Sequence, residues 1–124
     1  MIGLTRVILR LGRNPHAGHP DGADDYGYVI QAPLDANNKL DPVLWREKRD
    51  ECTVRRFQPN ETPADGWLRH RGENWYFWYD ETEEGPEEPL FKLGGHELRP
   101  GEYVTVREGD GDVLTYRVAD MARI

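Results

Sequence analysis

Residues 75–79 read Trp-Tyr-Phe-Trp-Tyr, and five large rings in unbroken succession leave the backbone few choices. Aromatic residues favour strands, and the preceding Arg71-Gly72-Glu73-Asn74 has turn character. Successive side chains of a strand point to opposite faces, so Trp75, Phe77 and Tyr79 share one face while Tyr76 and Trp78 share the other. One small core covers one such set. The second set predicts cover from a helix or loop of the same chain, from another copy, or from a ligand.

The remaining sequence carries the punctuation of short antiparallel strands. Thr5 to Leu11 alternates, with Val7, Leu9 and Leu11 on one side and Arg6, Ile8 and Arg10 on the other. Tyr26 to Ala32 reads as a second strand ended by Pro33, and Asp35-Ala36-Asn37-Asn38 as a turn. The one helix predicted runs from Pro42 to Asp50, with Asp41 as its N-cap and Leu40 placed to pack on Trp45. A strand from Cys52 to Phe57 follows. Trp67 to Arg71 then pairs with Trp75 to Asp80 in a hairpin, and Leu90 to Leu93 forms a short strand. Tyr103 to Arg107 and Val113 to Val118 form a last hairpin, with Val104, Val106, Leu114, Tyr116 and Val118 sharing its inner face.

About seven or eight short strands, one short α-helix and no βαβ rhythm predict a mainly β fold, a small antiparallel, partly open β-barrel or else a sandwich. Its 124 residues suit a single domain, 1–124, without an internal repeat or linker. Two long connections stand out: residues 12–25, polar and rich in Gly, Pro, His and Asp, and the acidic loop 80–89. Six of the 23 acidic residues fall between Asp80 and Glu88, so the net charge of −7 becomes −7 + 6 = −1 without them. The start lacks the basic flank and cleavage site of a signal peptide, and no stretch reaches membrane-spanning length, so a cytoplasmic location away from membranes is expected.

No serine occurs, which closes every Ser-nucleophile mechanism, and there is no P-loop, dinucleotide fingerprint, HExxH or paired CxxC. The single Cys52 lies in strand context and reads as a small buried hydrophobe. No motif assigns a reaction, and the reading leans away from an enzyme. Three functional expectations follow. Foremost is a noncatalytic interaction module that associates with itself, as a homodimer or other homo-oligomer, or with a protein partner, through the aromatic hairpin, with Trp75, Tyr76, Trp78, Arg69 and Arg71 as its binding residues. The second is a small-ligand or metal-binding protein, possible enzyme included, in which His16, His19 and Asp21 of the long loop hold a divalent ion, the only cofactor considered. The third is single-stranded nucleic-acid binding through Arg55, Arg56, Arg69 and Arg71, which the acidic overall balance opposes. His96 suits an ordinary surface role, and Asp80 beside Trp78 would suit a sugar platform.

Overall fold

The computed structural model describes residues 3–72, 74–79, 88–91, 97–107 and 113–124. They form a mainly β domain with eight strands: β1 (Thr5–Leu11), β2 (Ala23–Ala32), β3 (Thr53–Phe57), β4 (Ala64–Arg71), β5 (Asn74–Tyr79), β6 (Glu88–Phe91), β7 (Tyr103–Arg107) and β8 (Val113–Arg123). Every strand pairs antiparallel with its neighbours in sequence, and β1 pairs with β8 as well, so the ladder returns on itself as an up-and-down barrel. Among the described residues the ladder is thinnest at β6, which matches three residues of β5 and two of β7. The expected mainly β, antiparallel barrel of short strands with one short helix is therefore present, with β1 also paired to β8.

Alternation along each strand fills the interior. Val7, Leu9, Leu11, Tyr28, Ile30, Val54, Leu68, Phe77, Val104, Val106, Leu114, Tyr116 and Val118 are all buried in one cluster. At its centre Tyr28 packs on Phe77 with ring centroids 4.7 Å apart and edge-on against Tyr116 at 5.0 Å. An eight-stranded barrel is just wide enough for such side chains to fill it. A bulge in β8 opposite Ile8 and Leu9 shifts the alternation, which turns Met121 towards the core beside Val7. Gly27 is obligatory here, because a Cβ at that position would overlap the Leu9 carbonyl oxygen on the neighbouring strand.

One end of the barrel is closed by α1 (Pro42–Lys48), which continues as a 3-10 turn through Arg49–Glu51 and so covers the span predicted for the helix. The Asp41 carboxylate accepts from the Val43 and Leu44 amides, and Pro42 occupies the first turn. Leu40 and Trp45 join the buried cluster with Leu34 and Leu98. The Asp35 carboxylate accepts from the amides of Asn37 and Lys39, which fixes the predicted turn, and Asn38 takes a positive φ of 61°.

The 12–25 connection lies at the opposite end and is shorter than predicted, since β2 already begins at Ala23. It is an organised loop, with a 3-10 turn at Pro15–Ala17 and a bridge between Asn14 and His19. Asn14 anchors it. Buried to 2% exposure, its amide donates to the Gly12 and Thr115 carbonyls and accepts from the Thr115 amide. Of the acidic 80–89 connection, Glu88 and Pro89 belong to β6, and residues 80–87 lie outside the described residues. Among the described residues no helix is long and apolar enough to cross a membrane.

Candidate functional site

The β4–β5 hairpin sorts its side chains by register. Trp67 pairs with Trp78, Leu68 with Phe77, Arg69 with Tyr76, His70 with Trp75 and Arg71 with Asn74, and Gly72, at a φ of 62°, allows the tight return. Leu68, His70, Trp75 and Phe77 face inward; Trp67, Arg69, Arg71, Tyr76 and Trp78 face outward. The aromatic run thus projects both ways.

The inner half is core. Trp75 is 2% exposed, stacked on His70 at 4.3 Å and set edge-on to Trp45 of α1 at 6.2 Å. Trp45 in turn donates its indole N–H to the Leu68 carbonyl at 2.8 Å, so its buried ring has its polar atom satisfied. Trp75 therefore leaves the set of predicted binding residues: its parity puts it inside, where no partner reaches it. Burial in this aromatic setting, with the positive charge of Arg46 as the smaller contribution, holds His70 below the ordinary histidine range.

The outer half is a layered surface of rings and guanidinium groups. Trp67 and Trp78 lie side by side, ring centroids 5.9 Å apart and planes inclined by 35°. The Arg69 guanidinium carbon lies 4.8 Å from the Trp78 ring centroid. That of Arg71 lies 5.1 Å from the Tyr76 ring, and its Nη2 donates to the Tyr76 hydroxyl at 2.9 Å. Each contact of this type contributes about 0.5–1 kcal/mol at an exposed site and restrains a side chain that would otherwise sample many rotamers. The 3-10 turn after α1 brings Arg49 and Asp50 to the same place. Together with Trp67, Arg69 and Trp78 they line an open groove of about 480 Å³.

Trp67 is also the wall of a second depression, about 360 Å³, whose lining includes Arg6, Val29, Thr53, Arg55 and Asp65. The Arg55 guanidinium donates to the Asp65 carboxylate at 2.9 Å across β3 and β4; the bond pushes the pKa of Arg55 up and that of Asp65 down. Trp67 thus forms a ridge between two hollows. Strand parity alone places it beside Arg69 and Arg71, although it was not singled out from the sequence with them. Arg49 and Asp50 carried no sequence signal, because only the tertiary position of the helix end puts them next to β4.

The four arginines of the nucleic-acid expectation do not share one face. Arg55, Arg69 and Arg71 point outward, whereas Arg56 has the parity of Val54 and pairs in register with buried Tyr28. In the metal expectation, one ring nitrogen of His16 lies 3.2 Å from the Val113 carbonyl, and His19 packs edge-on against Tyr26 at 4.9 Å. Among the described residues no three His, Cys, Asp or Glu side chains gather as a metal cage requires. Cys52 is fully buried and its thiol is pushed up to about 12 by burial, with Glu51 adding a smaller push, so no thiolate nucleophile is present near neutral pH. Asp80 and His96 lie outside the described residues. Compared with known proteins, the chain matches no family model, no curated protein and no solved structure.

Proposed function

We propose that this chain is a noncatalytic interaction module whose outer β4–β5 face pairs with a protein surface, in the first instance that of a second copy. The observation that carries this reading is the composition and state of that face. Trp67, Tyr76 and Trp78 stand only half-buried, with Arg69 and Arg71 laid over two of the rings, on a barrel whose own interior is already full. Trp, Tyr and Arg are the side chains that dominate the energetics of protein interfaces, and rings already restrained by stacked arginines lose little further freedom on docking.

A groove beside a raised ring also suits an isologous contact, in which each copy offers the same ridge and hollow to the other. Light scattering over a range of concentrations tests the reading. Wild type should associate and Trp78→Ala should do so at least about tenfold more weakly, one or two lost interface contacts being enough for that change. A wild type that stays monomeric up to the highest attainable concentration would overturn it.

A further inference from the structure

Across the ladder from the β4–β5 hairpin, the outer face of β7, β8 and β1 carries an ordered row. Arg10 of β1 stands directly opposite Arg117 of β8, and Arg117 directly opposite Tyr103 of β7. All three have outward parity, since Leu9, Leu11, Val104, Tyr116 and Val118 beside them are buried. Like charges set directly across a ladder destabilise it, and among the described residues no carboxylate pairs with either arginine. Asp24 offers Arg10 its backbone carbonyl at 2.7 Å, and Asp120 turns its carboxylate to the Met121 amide. Arg117 forms no ion pair or hydrogen bond among the described residues. Tyr103 completes the row as a platform. Its ring reaches across β8 to the end of β1, where a Cβ at Gly12 would lie 3.6 Å from its Cε1. Because Gly12 has no side chain, the ring has room to lie over the sheet, and Tyr103 remains 59% exposed. Thr105 and Thr115, paired one step along on the same face, add hydroxyl groups.

We propose that this row binds a nucleotide, its phosphate held between Arg10 and Arg117 and its base laid on the Tyr103 ring. Guanidinium groups present paired N–H donors to phosphate oxygens, and bases stack on open aromatic rings with little regard to their identity. A phosphate between the two arginines also removes the like-charge repulsion that the register imposes. A carboxylate would answer the charges and leave the ring unused. The site shares no residue with the β4–β5 face and requires no second copy. The described part of the β7–β8 hairpin ends at Arg107 and Val113, about 13 Å further along both strands at about 3.3 Å per residue. The same base-and-phosphate chemistry is offered by a free nucleotide and by a single strand of nucleic acid.

Calorimetric titration with adenosine 5′-monophosphate, ribose 5-phosphate and a short single-stranded oligoadenylate tests this on wild type, Arg117→Ala and Tyr103→Ala. Both substituted positions are exposed, so neither truncation reaches the core. The monophosphate should bind wild type about tenfold more tightly than ribose 5-phosphate, a margin within what one stacked base supplies. Tyr103→Ala should erase that margin, and Arg117→Ala should weaken both ligands about tenfold. The oligoadenylate distinguishes the two sources. Binding tighter than the monophosphate assigns the row to a nucleic-acid strand, and that binding should fall about three- to sevenfold between about 50 and about 200 mM salt for one or two neutralised phosphates. An oligoadenylate no tighter than the monophosphate assigns the row to a free nucleotide. Wild type that binds none of the three at millimolar concentration overturns the proposal. So does equal affinity for the monophosphate and ribose 5-phosphate, or binding left unchanged by Arg117→Ala.

Discussion

Arg69 on β4 lies over the Trp78 ring of β5 at 4.8 Å, so part of the half-buried indole is covered by a charged group. A guanidinium group over a ring removes apolar surface from water while keeping its own donors hydrated, which lets a large aromatic remain on the outside of a monomer. Such a cover can be rearranged when a partner arrives. The inward-facing half of the same strand has no such freedom.

The two faces of β5 should respond differently to truncation. Trp75→Ala removes a ring that is 2% exposed and packed between His70 and Trp45, and should lower unfolding stability by about 3–5 kcal/mol. Trp78→Ala should cost about 1 kcal/mol in the monomer, mainly the contact with Arg69 and part of the area shared with Trp67. Urea titrations at concentrations too low for association measure both. Equal losses would contradict the assignment of the two faces.

Asn14 joins the 12–22 loop to β8 through two hydrogen bonds with Thr115 and makes a third to the Gly12 carbonyl within the loop, all in a buried setting. Asn14→Ala removes the partner of the Thr115 amide and of the Gly12 carbonyl, while the Thr115 carbonyl keeps the Gly12 N–H, and should lower stability by about 1–3 kcal/mol. Limited proteolysis should then cut faster between residues 15 and 22. An unchanged cleavage rate would mean that the loop is held by other contacts.

His70 should make stability depend on pH. Its folded-state pKa lies below the unfolded value near 6.5, first because burial disfavours the charged form and second because Arg46 is close. The unfolded chain therefore binds the proton more readily. The stabilisation is complete above about pH 6.5 and declines as pH falls from there towards the lower folded value. His70→Gln should show a shallower loss of stability than wild type between about pH 7 and about pH 5. Parallel curves would remove His70 as the source.

Cys52 should behave as a reporter of unfolding. With no exposure and a pKa pushed up to about 12, it should resist thiol reagents in the native state and react at the rate at which the barrel opens. Labelling that stays fast as denaturant is withdrawn would show that the thiol is reached without unfolding.

Local pattern carried most of the architecture. The inner face predicted for the last hairpin, Val104, Val106, Leu114, Tyr116 and Val118, is buried in full. The Asp41 cap and Pro42 start mark α1, and alternation through residues 75–78 separates core rings from surface rings. The partnership of β1 with β8 was not legible, since it joins strands more than 100 residues apart and leaves no local trace. Trp75 was grouped with the binding residues because parity defines two faces without saying which is inside; the helix carrying Trp45 decides that. Arg49 and Asp50 entered the site for the same reason. Asn14 looked like one more polar loop residue, and only its place under β8 reveals its buried amide.

Hydroxyl-radical footprinting from dilute to concentrated solution tests the interface most directly. Oxidation of Trp67, Tyr76 and Trp78 should fall severalfold as the protein associates, while Tyr103, 59% exposed on β7, keeps its dilute-solution rate. Protection of Tyr103 with Trp67, Tyr76 and Trp78 left fully reactive would contradict the account, because association would then use another face of the barrel.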